Sequence, residues 1–275
     1  MIVGALNEPY PGESRVAITP ESAEKLIKND IDVLVESEAG NDAGYPDKSY
    51  QEQNVEITDR KEIIDRSDVL FQVRGMASDP DHAEELLTEA PSGQLQVGMM
   101  EPYDADSYVE TASEQNLSIV ALELMPRISR AQSMDVLSSQ ANIGGYKAAI
   151  VGAEHLPKML PMMMTAAGTV RPANVFVIGA GVAGLQAIAT AKRLGANVEA
   201  YDIRLEVKEQ VESLGADFVE LDLETEQTEG DEEGYAQEMD EEFYAEQRKR
   251  LTEVLDYTDI VITTANIPGK PAPEL

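Results

Sequence analysis

The sequence predicts an α/β protein of two domains, each built around a mainly parallel sheet. Short apolar runs alternate with helical patterns over the first 120 residues, and a glycine-rich turn follows another apolar run in the second half. The chain has 275 residues, which is enough for two buried cores. Strand–helix alternation favours a parallel sheet, because the helices that connect parallel strands cover both of its faces. We therefore expect an N-terminal α/β domain over residues 1–125 and a second α/β domain over residues 126–275.

Five apolar runs predict the strands of the N-terminal domain, at residues 2–6, 31–36, 69–73, 95–99 and 117–122. Thr19 and Pro20 predict where the first helix begins, because Thr is a good N-cap residue and Pro fits the first helical position. Ala23, Leu26 and Ile27 give this helix an apolar face. Further helical patterns cover residues 57–65, 79–88 and 104–115.

A long helix leads into the second domain over about residues 133–155, and Pro157 and Pro161 follow it. The pattern beyond it predicts strands at residues 175–178, 198–201, 218–221 and 259–263, with helices at residues 182–194 and 206–214. A complete doubly wound sheet has six strands. We therefore expect this domain to be C-terminally incomplete.

The composition excludes several classes of function. The chain carries 52 acidic and 21 basic side chains and a net charge of −31, so binding to nucleic acid or directly to an anionic membrane is disfavoured. It has no Cys and two His, which excludes disulfides and thiol chemistry and leaves little material for a metal site. We interpret the acidic excess as halophilic adaptation, because repulsion between surface carboxylates is screened at high salt.

The acidic residues are unevenly distributed. Residues 125–191 contain two acidic and five basic side chains, which leaves this window at +3 and the rest of the chain at −34. A salt-adapted surface gains acids wherever they are tolerated, so we expect the window to be buried and to hold an anion. Residues 209–247, by contrast, contain 16 acidic residues and no Lys or Arg. Its centre, residues 225–236, is either a solvated loop or a flap that closes over a ligand with Tyr235.

Neither a membrane span nor a secretory signal is predicted. Residues 173–191 carry no charge and are about long enough to cross a bilayer. Gly179, Gly181 and Gly184 divide them into a strand, a turn and a helix, which is typical of a soluble domain. Met1 leads directly into an apolar strand without a basic segment. We expect a cytoplasmic protein.

The glycine turn has the sequence GAGVAG, from Gly179 to Gly184, and lies between a predicted strand and a predicted helix. Gly179 permits the tight turn, Gly181 allows the main chain to approach a pyrophosphate, and Gly184 allows close packing of helix on strand. The helix start, with Val182 and Ala183, offers N–H groups and the positive end of a dipole. The pattern predicts a Rossmann-type dinucleotide-binding domain. A Rossmann-like sheet without nucleotide is the alternative.

Asp202 closes the second strand of this unit, 18 residues after Gly184. A carboxylate at this position hydrogen-bonds a ribose 2′-hydroxyl and repels a 2′-phosphate, which predicts NAD rather than NADP. Ile203 and Arg204 follow it and belong to the same candidate site. The positive charge of Arg204 acts against this preference.

A second candidate site lies on the predicted long helix. Gln132, Asp135, Ser138 and Asn142 are spaced by 3, 3 and 4 residues, which places them on one helical face, and Arg127 lies just before it. A solvent face of this chain should be acidic, and this face is not. It could therefore hold a carboxamide and a ribose, and an ordinary solvent face is the alternative.

Residues 126–146, PRISRAQSMDVLSSQANIGGY, resemble the NAD(H)-binding alpha subunit of proton-translocating NAD(P) transhydrogenase. The resemblance covers essentially the whole chain and includes residues 13–20, 165–168, 177–185, 204–210 and 267–273. It implies that this chain binds NAD(H), that a beta subunit binds NADP(H), and that a membrane component couples hydride transfer to proton movement. It also implies a homodimer that meets the membrane only through its partner subunits.

The resemblance assigns roles to the candidate residues. Those around the nicotinamide and its ribose would be Arg127, Gln132, Asp135 and Ser138. Those around the rest of the nucleotide would be Gly179, Gly181, Val182, Ala183, Gly184, Asp202, Ile203, Arg204, Thr264 and Ala265. A mobile loop that closes over the nucleotide would be centred on Gly234, Tyr235 and Ala236.

Two alternatives remain open. Alanine dehydrogenases share the opening and the Rossmann half, and by family resemblance they bind substrate through an Arg, a Lys and a His of the first domain. Arg15 matches that Arg, Arg74 takes the place of the Lys, and residues 97–102 contain no His. An amination needs an acid–base group with a pKa near neutrality, so this reaction lacks support. A non-catalytic NAD-binding module is the other alternative.

Overall fold

The computed structural model describes residues 1–75, 80–104, 106–126, 128–221, 241–266 and 272. The chain divides into two compact units, residues 1–135 and 136–275. Residues 126–135, which the sequence assigns to the second domain, lie in the first unit.

The first unit is a doubly wound α/β domain. Its described strands are β1 (Ile2–Ala5), β2 (Asp32–Glu36), β3 (Glu56–Thr58), β4 (Val69–Arg74), β5 (Leu95–Met99) and β6 (Ser118–Ala121). Its described helices are α1 (Pro20–Ile27), α2 (Asp47–Gln51), α3 (Arg60–Arg66), α4 (Pro80–Glu89) and α5 (Asp106–Glu114). The strands form a parallel sheet in the order β3-β2-β1-β4-β5-β6. The order reverses between β1 and β4, as in doubly wound sheets, and the predicted α/β class is confirmed.

Alternating side chains give this sheet a core on each face. Val33 and Val35 of β2 pack with Ala23 of α1, whereas Leu34 packs on the other face with Ile63 of α3. Covering both faces with helices removes the apolar surface of the sheet from water. The alternation of strand and helix in the sequence is therefore the pattern of a sheet buried on both sides.

Capping residues set the starts of the helices. The hydroxyl of Thr19 accepts a hydrogen bond from the N–H of Ser22 at 3.3 Å, so α1 begins where the sequence predicts. The prediction of a single helix over residues 57–65 was wrong. Ile57 pairs with β2 as part of β3, and the side chain of Asp59 caps α3. Ile57 fits the period of either element, and the N-cap at Asp59 ends the extended segment.

The second unit contains a smaller parallel sheet and an antiparallel hairpin. Its described strands are β7 (Met163–Thr165), β8 (Gly168–Val170), β9 (Asn174–Ile178), β10 (Asn197–Tyr201), β11 (Asp217–Phe218) and β12 (Ile260–Thr263). Its described helices are α6 (Val136–His155), α7 (Val182–Arg193), α8 (Lys208–Ser213) and α9 (Glu241–Leu255). The parallel strands are ordered β11-β10-β9-β12, and β7 pairs with β8.

Three elements of this unit differ from those that the sequence predicts. The long helix begins at Val136, because residues 132–134 form a separate 3-10 turn and Asp135 is extended, with φ −75° and ψ 92°. The strand predicted at residues 218–221 is limited to β11, and α8 begins after a short 3-10 turn. The centre of the acidic segment, residues 225–236, lies outside the described residues.

Helices on both faces cover β9, the central strand. Val175 and Val177 pack with Ile188 of α7, and Phe176 packs on the opposite face with Leu251 of α9. Helix α6 packs closely against α7 at Gly145. The two backbones are so near each other that a Cβ on Gly145 would overlap the carbonyl oxygen of Ala183. Within the described parts of the chain, no helix combines the length and apolar character needed to cross a membrane.

Candidate functional site

The carboxyl ends of three strands meet at the switch point of the second sheet. Strand β10 lies on one side of β9 and β12 on the other, so the strand order reverses between β9 and β12. Ligands of doubly wound sheets bind at this kind of crevice, outside the carboxyl ends of the strands. The residues that follow the three strands are Gly179, Asp202 and Thr264.

The three glycines of the turn have different surroundings. Gly179 has a φ of +94°, and a Cβ on it would lie 2.8 Å from Thr264 Oγ1. A Cβ on Gly184 would overlap the carbonyl oxygen of Gly179, so this glycine lets α7 pack against the turn. No described atom lies within 4 Å of the Cβ position of Gly181. The open space over Gly181 is where a ligand can approach the main chain.

The N-terminus of α7 offers main-chain donors to an anion. Gly181 is its N-cap, and no described side chain caps the helix. Val182 is exposed and Ala183 is also accessible, and neither carries charge. The N–H groups and the dipole of a helix N-terminus favour phosphate. Although the chain has a net charge of −31, the first turn of α7 contains no acidic residue that would compete with a bound phosphate for these donors.

Thr264 holds the glycine turn through two hydrogen bonds from the side of β12. Its main-chain N–H donates to Ile178 O at 2.8 Å, and its hydroxyl donates to Gly179 O at 3.0 Å. Ala265 follows it, with its nitrogen 3.1 Å from the Cβ position of Gly179. The structure therefore brings these two residues to the glycine turn, with Thr264 85 positions away from Gly179 in the sequence.

Asp202 holds the glycine turn through a hydrogen bond from the side of β10. Its Oδ2 accepts from Ala180 N at 2.7 Å and from Arg204 Nη2 at 3.0 Å. Its Oδ1 accepts from Arg204 N at 2.9 Å and from Arg204 Nε at 3.0 Å. Asp202 and Arg204 are only 6% and 8% exposed, while Ile203 is half-buried and packs beside Tyr201. The carboxylate thus bridges the glycine turn and a buried guanidinium.

Gln247 is a buried polar residue at this edge that the sequence analysis misses. Its Nε2 donates to the Tyr201 hydroxyl at 3.0 Å, and its Oε1 has no hydrogen-bond partner among the described residues. The side chain is 1% exposed. The spacing of Gln247, Leu251 and Val254 by 4 and 3 residues is that of one helical face, and it is the signal that could have found this residue. Its place at the end of the acidic segment hides that signal.

The residues predicted around the nicotinamide are not on one helix. Gln132 is exposed in the 3-10 turn, Asp135 is extended and half-buried, and Ser138 is half-buried in the first turn of α6. The predicted polar stripe is therefore wrong as a helical face, although Ser138 and Asn142 remain one turn apart on α6. Arg127 and the loop residues Gly234, Tyr235 and Ala236 lie outside the described residues.

A second group of charged residues lies at the carboxyl edge of the first sheet. We call Glu8, Glu13, Arg15, Arg74 and Glu101 the first-unit cluster. Arg15 pairs with Glu13 at 2.6 Å, and Arg74 pairs with Glu101 at 2.6 Å. Glu8 accepts from the main-chain N–H groups of Val73 and Arg74 at 2.6 and 3.0 Å. Burial raises the pKa of Glu8, whereas the hydrogen bond from Arg15 lowers the pKa of Glu13.

The strand order, the glycine turn and the residues that fasten it define a doubly wound α/β protein of the dinucleotide-binding class. The family models of the alanine dehydrogenase/PNT N-terminal and C-terminal domains match residues 4–144 and 148–275. The chain therefore belongs to the alanine dehydrogenase/PNT family, among the alpha subunits of NAD(P) transhydrogenase.

Three relatives support this assignment. An NAD(P) transhydrogenase alpha-subunit protein of Rhodospirillum rubrum is 46% identical over 278 residues, covering 100% of this chain and 72% of that protein. The protein of the same name from Rickettsia prowazekii is 45% identical over 276 residues, covering 100% and 71%. The crystal structure of transhydrogenase from Sinorhizobium meliloti matches with a TM-score of 0.84 at 42% identity, covering 100% of this chain and 73% of that one.

Proposed function

We propose that this chain is the NAD(H)-binding component of NAD(P) transhydrogenase. It binds NAD(H), a partner beta subunit binds NADP(H), and hydride passes between the two nicotinamides. A membrane component couples this transfer to proton translocation. One observation carries the proposal: the glycine turn at the switch point of the second unit is fastened by Asp202 on one side and Thr264 on the other.

The glycine turn suits a pyrophosphate. The space over Gly181 is open to an approaching group, and the uncapped start of α7 provides main-chain donors. The acid-poor window over residues 125–191 includes this turn, so the residues next to it in the sequence add no negative charge that would repel a phosphate. The negative charge of Asp202 beside the turn repels a 2′-phosphate, which supports NAD(H) over NADP(H) as the ligand.

The contribution of this chain to the reaction is positioning. The nicotinamide supplies the carbon that donates or accepts the hydride. Arg127, Gln132, Asp135 and Ser138 bind and orient its carboxamide and ribose through guanidinium, amide, carboxylate and hydroxyl groups. Holding a reacting group in one orientation removes part of the entropic barrier. The transfer requires no nucleophile or general base from the chain.

We further propose that the chain acts as a homodimer in the cytoplasm, attached to the membrane through its partner subunits. All residues of β7 and β8 are exposed, and Met164 is 75% exposed. A two-stranded hairpin is marginally stable alone, and exposed apolar surface of this kind is typical of an interface. The hairpin lies in the acid-poor window, where two copies of a strongly acidic chain repel each other least.

The first-unit cluster disfavours the alanine dehydrogenase alternative. Both of its guanidiniums pair with carboxylates of this chain, and its three carboxylates outnumber them. A 2-oxo acid would have to displace an internal ion pair from a cluster of net negative charge. The absence of a His from residues 97–102 also removes the acid–base group that an amination needs.

A hydride-transfer assay tests the proposed function. The chain is mixed with an NADP-binding partner subunit, NADPH and an oxidised NAD analogue, and reduction of the analogue is followed by absorbance. We expect turnover only when both proteins are present. A second mixture contains the chain with NADH, pyruvate and ammonia but without the partner subunit. Oxidation of NADH in this second mixture would instead identify an alanine dehydrogenase. NADH binding without turnover in either mixture would identify a non-catalytic module.

A further inference from the structure

The carboxylate of Asp202 is fully engaged within the chain. An ionised carboxylate offers about four lone-pair positions for hydrogen bonds. Asp202 accepts four such bonds, three of them from Arg204 and one from Ala180 N. Both charged side chains are more than nine-tenths buried. The guanidinium of Arg204 is therefore held against Asp202 by a buried, two-point ion pair, at the end of β10.

The two residues of this pair bind different groups in dinucleotide-binding folds. An acidic side chain after the second strand binds the hydroxyls of the adenosine ribose, and a nearby Arg accommodates a 2′-phosphate. A guanidinium suits a phosphate particularly well, because it donates two parallel hydrogen bonds to it. This chain carries both groups, Asp202 and Arg204, two residues apart. The ion pair between them therefore decides which of the two groups is available to a ligand.

We propose that Arg204 is a specificity-determining residue whose ability to bind a 2′-phosphate is masked by Asp202. Asp202 then excludes the phosphorylated nucleotide in two ways. Its charge repels the 2′-phosphate, and its hydrogen bonds hold back the guanidinium that would bind that phosphate. The inference rests on the proposed function, because it takes the ligand of the second unit to be NAD(H). It predicts that loss of Asp202 does more than remove a repulsion, since it also releases Arg204.

A double-mutant cycle tests this coupling. The affinities of NADH and NADPH are measured by fluorescence titration for the wild type, Asp202→Asn, Arg204→Gln and the double variant. We expect Asp202→Asn to increase the NADPH affinity by about tenfold, and the added Arg204→Gln to cancel that gain. In the wild-type background, Arg204→Gln should change the NADPH affinity by less than about threefold. Arg193→Gln removes a charge at the far end of α7 and should change neither affinity.

The outcomes separate this inference from the proposed function. If Arg204→Gln changes the NADPH affinity by the same factor in both backgrounds, the two residues act independently and the masking is refuted. Failure of the folded wild type to bind NADH would refute the proposed function itself. Circular dichroism checks folding, and Asp202→Ser is the second variant if the Asn substitution does not fold, because it also removes the carboxylate. A gain in NADPH affinity that persists without Arg204 would count against the inference in either variant.

Discussion

Gly181 and Gly184 are three residues apart in the same turn, but they perform different tasks. The Cβ position of Gly184 overlaps the carbonyl oxygen of Gly179, so this residue is required by the packing of the protein itself. The Cβ position of Gly181 faces space that no described atom fills. Its φ of −77° is accessible to any residue. Packing therefore explains Gly184, whereas no contact among the described residues explains Gly181, and the proposed pyrophosphate would account for it.

Alanine substitutions should separate these two roles. We expect Gly184→Ala to lower the free energy of unfolding by about 1–3 kcal/mol, because the new methyl group forces α7 away from the turn. Gly181→Ala should leave that free energy within about 0.5 kcal/mol of the wild type and weaken NADH binding, because its methyl group occupies the space left for the pyrophosphate. Urea denaturation and NADH titration measure the two effects. Unchanged NADH affinity in Gly181→Ala would contradict the proposed site.

Among the secondary-structure elements, β12 is linked at its start to two other parts of the second unit through Asp259. The Oδ2 of Asp259 accepts from Asn174 N at the start of β9, at 2.8 Å, and from Lys158 Nζ after α6, at 2.7 Å. Strand β12 carries Thr264 to the glycine turn at its other end. The same short strand is therefore fixed at both ends, by a carboxylate before it and a hydroxyl after it.

The Asp259 contacts predict a pH-dependent contribution to stability. The hydrogen bond from Lys158 lowers the pKa of Asp259. Its contribution is therefore fully present above the ordinary Asp pKa of about 3.9, and it is lost as the pH falls through the lower pKa of the folded state. We expect Asp259→Asn to cost about 1 kcal/mol at pH 7, a value that allows for solvent screening of this partly exposed pair.

Urea denaturation at pH 7 and near pH 3 measures this difference. The gap between Asp259→Asn and the wild type should narrow at the lower pH. Asp256→Asn, an exposed change just after α9, is the matched control and should have little effect at either pH. A gap that is constant with pH would show that the carboxylate charge does not stabilise this link.

Across the molecule as a whole, the net charge of −31 and the acid-poor window describe two kinds of surface. The window includes the central strand β9 and the inner face of α7, which are buried. It also includes the exposed hairpin and the uncapped start of α7. Burial explains the lack of acids in the core. At the exposed positions, the proposed partner surface and the proposed anion site would account for it.

The remaining negative charge predicts that salt stabilises the folded chain. Repulsion among surface carboxylates opposes the compact state, and ions screen it over about 10 Å at 0.1 M and about 3 Å at 1 M. We expect the free energy of unfolding, from urea denaturation, to rise by about 2 kcal/mol or more between 0.1 and 1 M KCl. Sucrose of matched water activity is the control for solvent effects unrelated to charge. Equal stability at the two KCl concentrations would contradict the halophilic interpretation.

The local features of this protein follow from its amino-acid sequence alone. Strand β9, the glycine turn, helix α7 and the N-cap at Thr19 are predictable, because each depends on residues within a few positions of one another. The alternation of strands and helices is sufficient for the α/β class for the same reason. The pattern around Ile57 fits either a strand or a helix. The N-cap at Asp59 sets the start of α3 after Ile57, so the helix that the sequence predicts from Ile57 is wrong there.

The way in which the site is held together depends instead on tertiary contacts. They place Thr264 against Gly179, close the carboxylate of Asp202 onto Arg204 and Ala180, and bury Gln247 beside Tyr201. These contacts join residues up to 85 positions apart, or choose between rotamers of neighbouring side chains, and neither is a property of local pattern. The physical reason is strand order: the pairing of β9 with β10 and β12 determines which side chains meet at the carboxyl edge.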